Sequence, residues 1–156
     1  MISFRKEGVH FGLRTVAVII DNDRVLLHQI EGRDYCALPG GRIEVQEYSK
    51  QALVREMQEE LELDVQVGRL LWVAENFFEE DDILYRGVEF YYLVTLPKDA
   101  PLRTTTEPVY TEDTGVGLMF RWYPLDELDK ITLYPEFLKT GLRNLPETTQ
   151  HIVIHQ

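Results

Sequence analysis

Apolar and polar positions change their period several times along the chain. From Phe11 to Ile20, and again from Arg24 to Ile30, β-branched and apolar residues dominate, with Asp21-Asn22-Asp23 between them. Two strands joined by that turn predict a β-hairpin. The polar loop Glu31-Gly32-Arg33-Asp34 follows, then Ala37-Leu38 and Pro39-Gly40-Gly41, which interrupts any regular element. From Glu47 or Tyr48 to about Leu61 there is neither Gly nor Pro and good helix formers dominate, so a helix is predicted. Further strands are expected at Val65 to Ala74, Gly87 to Leu96 and Gly117 to Tyr123. Pro124 to Leu128 predicts a helical turn, Pro135 to Leu142 a second helix and Ile152 to Ile154 a terminal strand. The polar stretch from Lys98 to Val116 is either a hairpin excursion or a mobile lid. Strands outnumber helices and do not alternate strictly with them, which predicts an α+β sandwich around a mixed sheet.

The 156 residues amount to one domain, spanning 1–156, and are enough for a core without disulfide or metal staples. With 44% hydrophobic and 28% charged residues the composition is that of a folded globular chain. The longest aliphatic run, Val16 to Ile20, is far short of the roughly 20 residues that span a bilayer, and the opening segment lacks an apolar signal-like core. No membrane partner and a cytoplasmic location are therefore the expectations. The lone Cys36 suits a reducing compartment and is expected to be a small buried or partly buried thiol. The four histidines have no zinc-ligand spacing.

Charge narrows the partners. Twenty-seven acids against 16 bases give a net charge of −11, which repels a nucleic-acid backbone, so duplex nucleic acid is not an expected partner. An acidic protein that binds polyphosphate needs divalent cations between its carboxylates and the ligand.

The segment Gly41 to Leu63, GRIEVQEYSKQALVREMQEELEL, supplies such carboxylates. At about 100° per residue from Ala52, Leu53, Val54, Met57 and Leu61 fall at roughly 100 to 200°, while Glu59, Glu56 and Glu60 fall at roughly −20, 40 and 80°. An oily stripe is thus bordered by an acidic one. Like charges four residues apart, such as Glu56 and Glu60, cost an isolated helix about 0.2–0.5 kcal/mol, which a bound cation offsets. Taken alone, a glutamate run is more often a solvated helix face.

The spacing changes that balance. Gly41, Glu47, Arg55-Glu56-Met57, Glu59-Glu60 and Leu63 resemble the box of the Nudix hydrolases, with Glu62 where that motif has glycine, and Leu38-Pro39-Gly40 is similar to the family's lead-in. The resemblance implies a single Nudix domain, a Nudix-like α/β/α sandwich with a mixed sheet. It also implies Mg²⁺- or Mn²⁺-assisted hydrolysis of a nucleoside diphosphate linked to another group. Position by position, Glu56, Glu59 and Glu60 correspond to metal ligands. Gly40 and Gly41 let the backbone pass close to the metal and phosphates, Gly40 being counted with the metal site, and Arg55 and Glu47 brace loop and helix. The catalytic set expected on this basis is Glu56, Glu59, Glu60, Arg55 and Glu89, the last as a supplementary ligand or base, with Glu75 a weaker candidate.

Arg33, Phe77, Tyr85 and Arg86 flank loops and are the expected substrate contacts, the aromatics by stacking and the arginines on phosphate or sugar. The accessory signatures of ADP-ribose, diadenosine polyphosphate, coenzyme A and NADH hydrolases are missing, which leaves a nucleoside triphosphate or small nucleotide conjugate. Partners are then a small-molecule nucleotide and, at most, a second copy of the chain. The alternative is a catalytically weak nucleotide-binding or sensor module. A helix-end glycine replaced by Glu62 predicts a left-handed, strained helix end.

Overall fold

The computed structural model describes residues 2–155. Eleven strands and two α-helices occur among them: β1 (Ser3–Lys6), β2 (Val9–Val18), β3 (Ile20–Asp21), β4 (Arg24–Ile30), β5 (Cys36–Ala37), β6 (Gly40–Arg42), α1 (Ser49–Leu61), β7 (Gln66–Glu80), β8 (Ile83–Thr95), β9 (Val109–Asp113), β10 (Val116–Pro124), α2 (Leu138–Gly141) and β11 (Gln150–His155). A mixed sheet runs β1-β2-β8-β7-β11, with β6 also paired to β2. Its β2–β8 and β7–β11 pairs are parallel and its β7–β8 pair antiparallel. An antiparallel sheet runs β3-β4-β10-β9, with β5 beside β4.

Alternation along the strands explains the layers. Ala17, Tyr92 and Val94 pack with Leu53 and Met57 of α1, while Val16, Val18 and Tyr91 pack with Leu138 and Leu142 at the C-terminal helical segment. The sheet is thus buried on both faces, giving the expected α+β sandwich. Leu53 and Met57 are fully buried, so truncating either to alanine costs about 2–5 kcal/mol and would release the helix that carries the acidic stripe. Val54, predicted on the oily stripe, is 39% exposed and lies outside it.

The predicted hairpin of two long strands is corrected. The chain changes sheets at Ile19, so β2 and β4 lie in different sheets, and of the Phe11 to Asp21 stretch only the short β3 pairs with β4. Apolar patterning reports burial, and both strands are buried whichever sheet they join. The turn itself holds: Asn22 and Asp23 both adopt positive φ, as a tight hairpin turn demands. In the acidic run Glu79 to Asp82, Glu79 and Glu80 lengthen β7 and Asp81-Asp82 form a positive-φ turn between β7 and β8. Lys98 to Val116 is the hairpin excursion of the two expected alternatives, formed by a 3-10 turn at Pro101–Thr104 and β9. The second helix shrinks to the single turn of α2, and β1 was not anticipated.

Candidate active site

Helix α1 begins where the Tyr48 amide donates to Gln51 Oε1 at 2.8 Å. It ends at Glu62, with φ 55° and ψ 36°, whose N–H donates to the Gln58 carbonyl at 3.0 Å. The left-handed ending expected at this position is present, on a residue that lacks glycine's tolerance for it.

Arg55 ties the preceding loop to the helix. Its Nη2 donates to Glu47 Oε1 at 2.6 Å and to the Arg42 carbonyl at 3.1 Å, and its Nε to Glu47 Oε2 at 3.1 Å. Glu47 Oε1 also accepts the Glu44 amide at 2.8 Å. From the other side of the guanidinium, Nη1 reaches Glu56 Oε1 at 3.0 Å and Glu59 Oε2 at 3.2 Å. The two glycines explain how close the loop comes. A Cβ on Gly41 would lie 2.1 Å from the Glu56 carboxyl carbon, and one on Gly40 would lie 2.2 Å from the Thr15 carbonyl oxygen. A side chain at Gly40 would require the backbone to move, and one at Gly41 would displace the Glu56 carboxyl.

Glu56, Glu60 and Asp113 bring one carboxylate oxygen each to within 4.8 Å of one another. Glu56 and Glu60 are 8% and 5% exposed, and Glu60 Oε2 is buried without a hydrogen-bond partner among the described residues. Burial, then the neighbouring Glu56 and Asp113, push the Glu60 carboxyl up to about 8. Burial also raises Glu56, against the pull of Arg55. Such a group is destabilised as a trianion and short of a counter-charge. Three hard oxygen donors with one orphaned lone pair fit a small divalent cation of the Mg²⁺ or Mn²⁺ kind.

Sequence reasoning missed Asp113. It sits at the end of β9, in the stretch left open as hairpin or lid, and nothing local distinguishes it from the acids around it. Glu59, expected with Glu56 and Glu60, has a half-exposed side chain turned to Arg55 and lies outside the three-carboxylate cluster. Glu89 lies on β8 with Tyr91, on the sheet face opposite α1, where Tyr91 Oη donates to Glu89 Oε1 at 2.8 Å. Glu75 pairs instead with His151 Nε2 at 2.8 Å.

On that opposite face a cleft of about 180 Å³ is lined by His10, Gly12, Arg14, Arg42, Asn76, Phe78, Tyr85, Gly87 and Glu89 among others. Arg14 and Arg42 are register partners in the cleft lining, and Arg42 is the residue after the Gly41 that touches Glu56. Arg14 also partly offsets the rise of Glu60 by its charge. Of the four expected substrate contacts, Tyr85 and Arg86 line the cleft, Tyr85 stacked on Phe78 at 4.9 Å. Phe77 lies on the reverse face under the Arg86 guanidinium, 4.1 Å from its ring centroid. Arg33 is held by Asp81, Nη2 to Oδ2 at 2.7 Å. Cys36 is buried, with Sγ 3.5 Å from Tyr123 Oη. A larger cleft of about 560 Å³, between Trp72, Phe137 and Leu145, contains none of the motif's residues.

The sandwich is the fold of solved Nudix enzymes. An ADP-ribose pyrophosphatase from Streptococcus suis superposes with a TM-score of 0.61 at 22% identity, over 92% of this chain and 98% of that one. A UDP-X diphosphatase does so at 0.61 and 19%, over 90% and 66%, and a MutT NUDIX hydrolase from Burkholderia pseudomallei at 0.59 and 22%, over 85% and 96%. At these identities the likeness is one of fold. No curated protein matches the chain in sequence. The family model for the NUDIX domain matches residues 11–145, so the chain belongs to the NUDIX family. Among the described residues no helix is long and apolar enough to cross a membrane.

Proposed function

We propose that the protein is a Mg²⁺- or Mn²⁺-dependent hydrolase that splits the pyrophosphate bond of a nucleoside triphosphate or a small nucleoside diphosphate conjugate. The observation that carries this reading is the convergence of Glu56, Glu60 and Asp113 within 4.8 Å, with Glu56 packed against the backbone of Gly41. Glu56, Glu60 and Asp113 would hold the cation, and Glu59 is the further helix carboxylate within reach once it leaves Arg55. When bound, the cation neutralises phosphate oxygens and stabilises the leaving phosphate.

The chain's own groups supply the rest. Gly40 and Gly41 let the loop pass close against Thr15 and Glu56, and Arg14 and Arg42 in the cleft lining would supply positive charge to phosphate oxygens. Glu56, anchored by Arg55, orients a water and accepts its proton. Arg55 and Glu47 are positioning residues that fix Glu56 against the loop. One water then splits the P–O–P bridge, giving two phosphate monoesters from a conjugate, or a nucleoside monophosphate and pyrophosphate from a triphosphate.

A turnover screen over nucleoside triphosphates and nucleoside diphosphate conjugates, with Mg²⁺, with Mn²⁺ and with chelator, tests the reading. Release of phosphate monoester or pyrophosphate only with metal is expected. No turnover of any nucleotide would favour a binding or sensor module instead.

A further inference from the structure

The cleft is built in transverse rows across four paired strands. Ser3, Gly12, Gly87 and Asn76 are successive register partners, and the two glycines leave the middle of that row without side chains. Two residues along, about 7 Å away, stands the row His10, Tyr85 and Phe78, whose rings stack at 5.4 and 4.9 Å. Two residues the other way stands the row Arg42, Arg14 and Glu89. The result is a slot with a glycine floor, an aromatic wall and a charged wall.

Its volume, about 180 Å³, is below the roughly 300–1,000 Å³ of sites for drug-sized ligands, so it suits one ring system with the remainder of the ligand outside. Glu89 and Asn76, 8% and 4% exposed, stand at the inner end. Glu89 Oε1 takes the Tyr91 hydroxyl at 2.8 Å, whereas Oε2 is met among the described residues by the Asn76 amide alone, at a long 3.4 Å. A buried carboxylate in that state gains from N–H donors supplied by a ligand.

We infer that Glu89 makes this slot select guanine, an inference that rests on the proposed hydrolysis of a nucleoside diphosphate derivative. Guanine offers two adjacent N–H donors, N1–H and the 2-amino group, to the two oxygens of one carboxylate. Adenine and cytosine set an acceptor nitrogen beside their amino group, and uracil flanks its N–H with two carbonyls, so each turns a lone pair toward Glu89. This assigns Glu89 to base selection, away from the carboxylate cluster.

Two measurements test it. Binding of GMP, IMP, AMP, CMP and UMP in chelator reads the slot without turnover, and kcat/KM for triphosphates differing only in base reads it during turnover. GMP should bind about tenfold or more tightly than AMP, CMP or UMP, the worth of one hydrogen bond to a charged group, with IMP between. Glu89→Gln should erase the difference between GMP and IMP. Gly12→Leu, which fills the floor at a position whose Cβ meets nothing nearer than 3.6 Å, should weaken all five together. Metal-dependent turnover with no guanine preference, or a preference that survives Glu89→Gln, overturns the inference and leaves the hydrolase reading intact. Selective GMP binding without any metal-dependent turnover supports the slot's assignment and overturns the hydrolase reading instead.

Discussion

Gly41 and Glu56 share one space: the carboxyl group of the acid occupies the volume that a Cβ at position 41 would fill, with 2.1 Å between that Cβ and the carboxyl carbon. Gly41→Ala must therefore displace Glu56 from its hydrogen bond to Arg55. Overpacking of this kind costs about 1–3 kcal/mol, and a shift of about 1 Å in a reacting group costs up to about 100-fold in rate. Denaturant midpoints and kcat measured on the same variant should show both losses.

Arg55→Lys keeps the charge but loses the planar fork that holds both Glu47 oxygens and the Arg42 carbonyl at once. A loss of about 1.5–3 kcal/mol is expected, the range for hydrogen bonds to charged groups. In a double-mutant cycle with Glu47→Gln the two losses should not add, because each removes the same bridge. Additive losses would show that the bridge contributes nothing.

Glu62→Gly should stabilise the protein. The left-handed conformation at φ 55° costs a non-glycine residue about 1–2 kcal/mol, and the freedom glycine adds to the unfolded chain takes back about 0.4–1 kcal/mol. A net gain of about 0.5–1 kcal/mol, read as a higher urea midpoint with unchanged m-value, is the expected result.

His28 is buried beside Phe120, its Nδ1 has no partner among the described residues, and burial first, then the Arg14 charge, lower it to about 4. Between that value and the ordinary 6.5 the unfolded chain binds the extra proton, so His28 stabilises the fold above pH 6.5 and that contribution is lost as pH falls to 4. The loss amounts to about 3 kcal/mol. His28→Leu should flatten this part of the profile. Glu60, raised to about 8, acts in the opposite sense, losing its contribution as pH rises from the ordinary carboxylate range to about 8, so the difference between wild type and variant isolates His28.

What could be read from sequence divides along physical lines. Helix α1 was legible because its signal is local, a run of helix formers with apolar and acidic residues on separate faces, whereas its strained end at Glu62 and the Arg55–Glu47 brace were expected through the resemblance to the Nudix box. The sheet assignment of β2 and β4 was not legible, since apolar alternation reports burial and not partner. Asp113 escaped for the same reason, being brought to Glu56 and Glu60 by the pairing of β9 with β10, a contact of long sequence separation. Phe77 and Phe78 show the cost of one residue of register: the period of two sends Phe78 into the cleft wall and Phe77 to the reverse face.

Whether Glu56, Glu60 and Asp113 hold a divalent cation is read directly by anomalous scattering from crystals soaked in Mn²⁺. A peak within coordination distance of all three carboxylates, absent from Glu60→Gln crystals treated identically, is the expected result. A Mn²⁺ peak held elsewhere while these carboxylates stay empty, or one unchanged in Glu60→Gln, would contradict it.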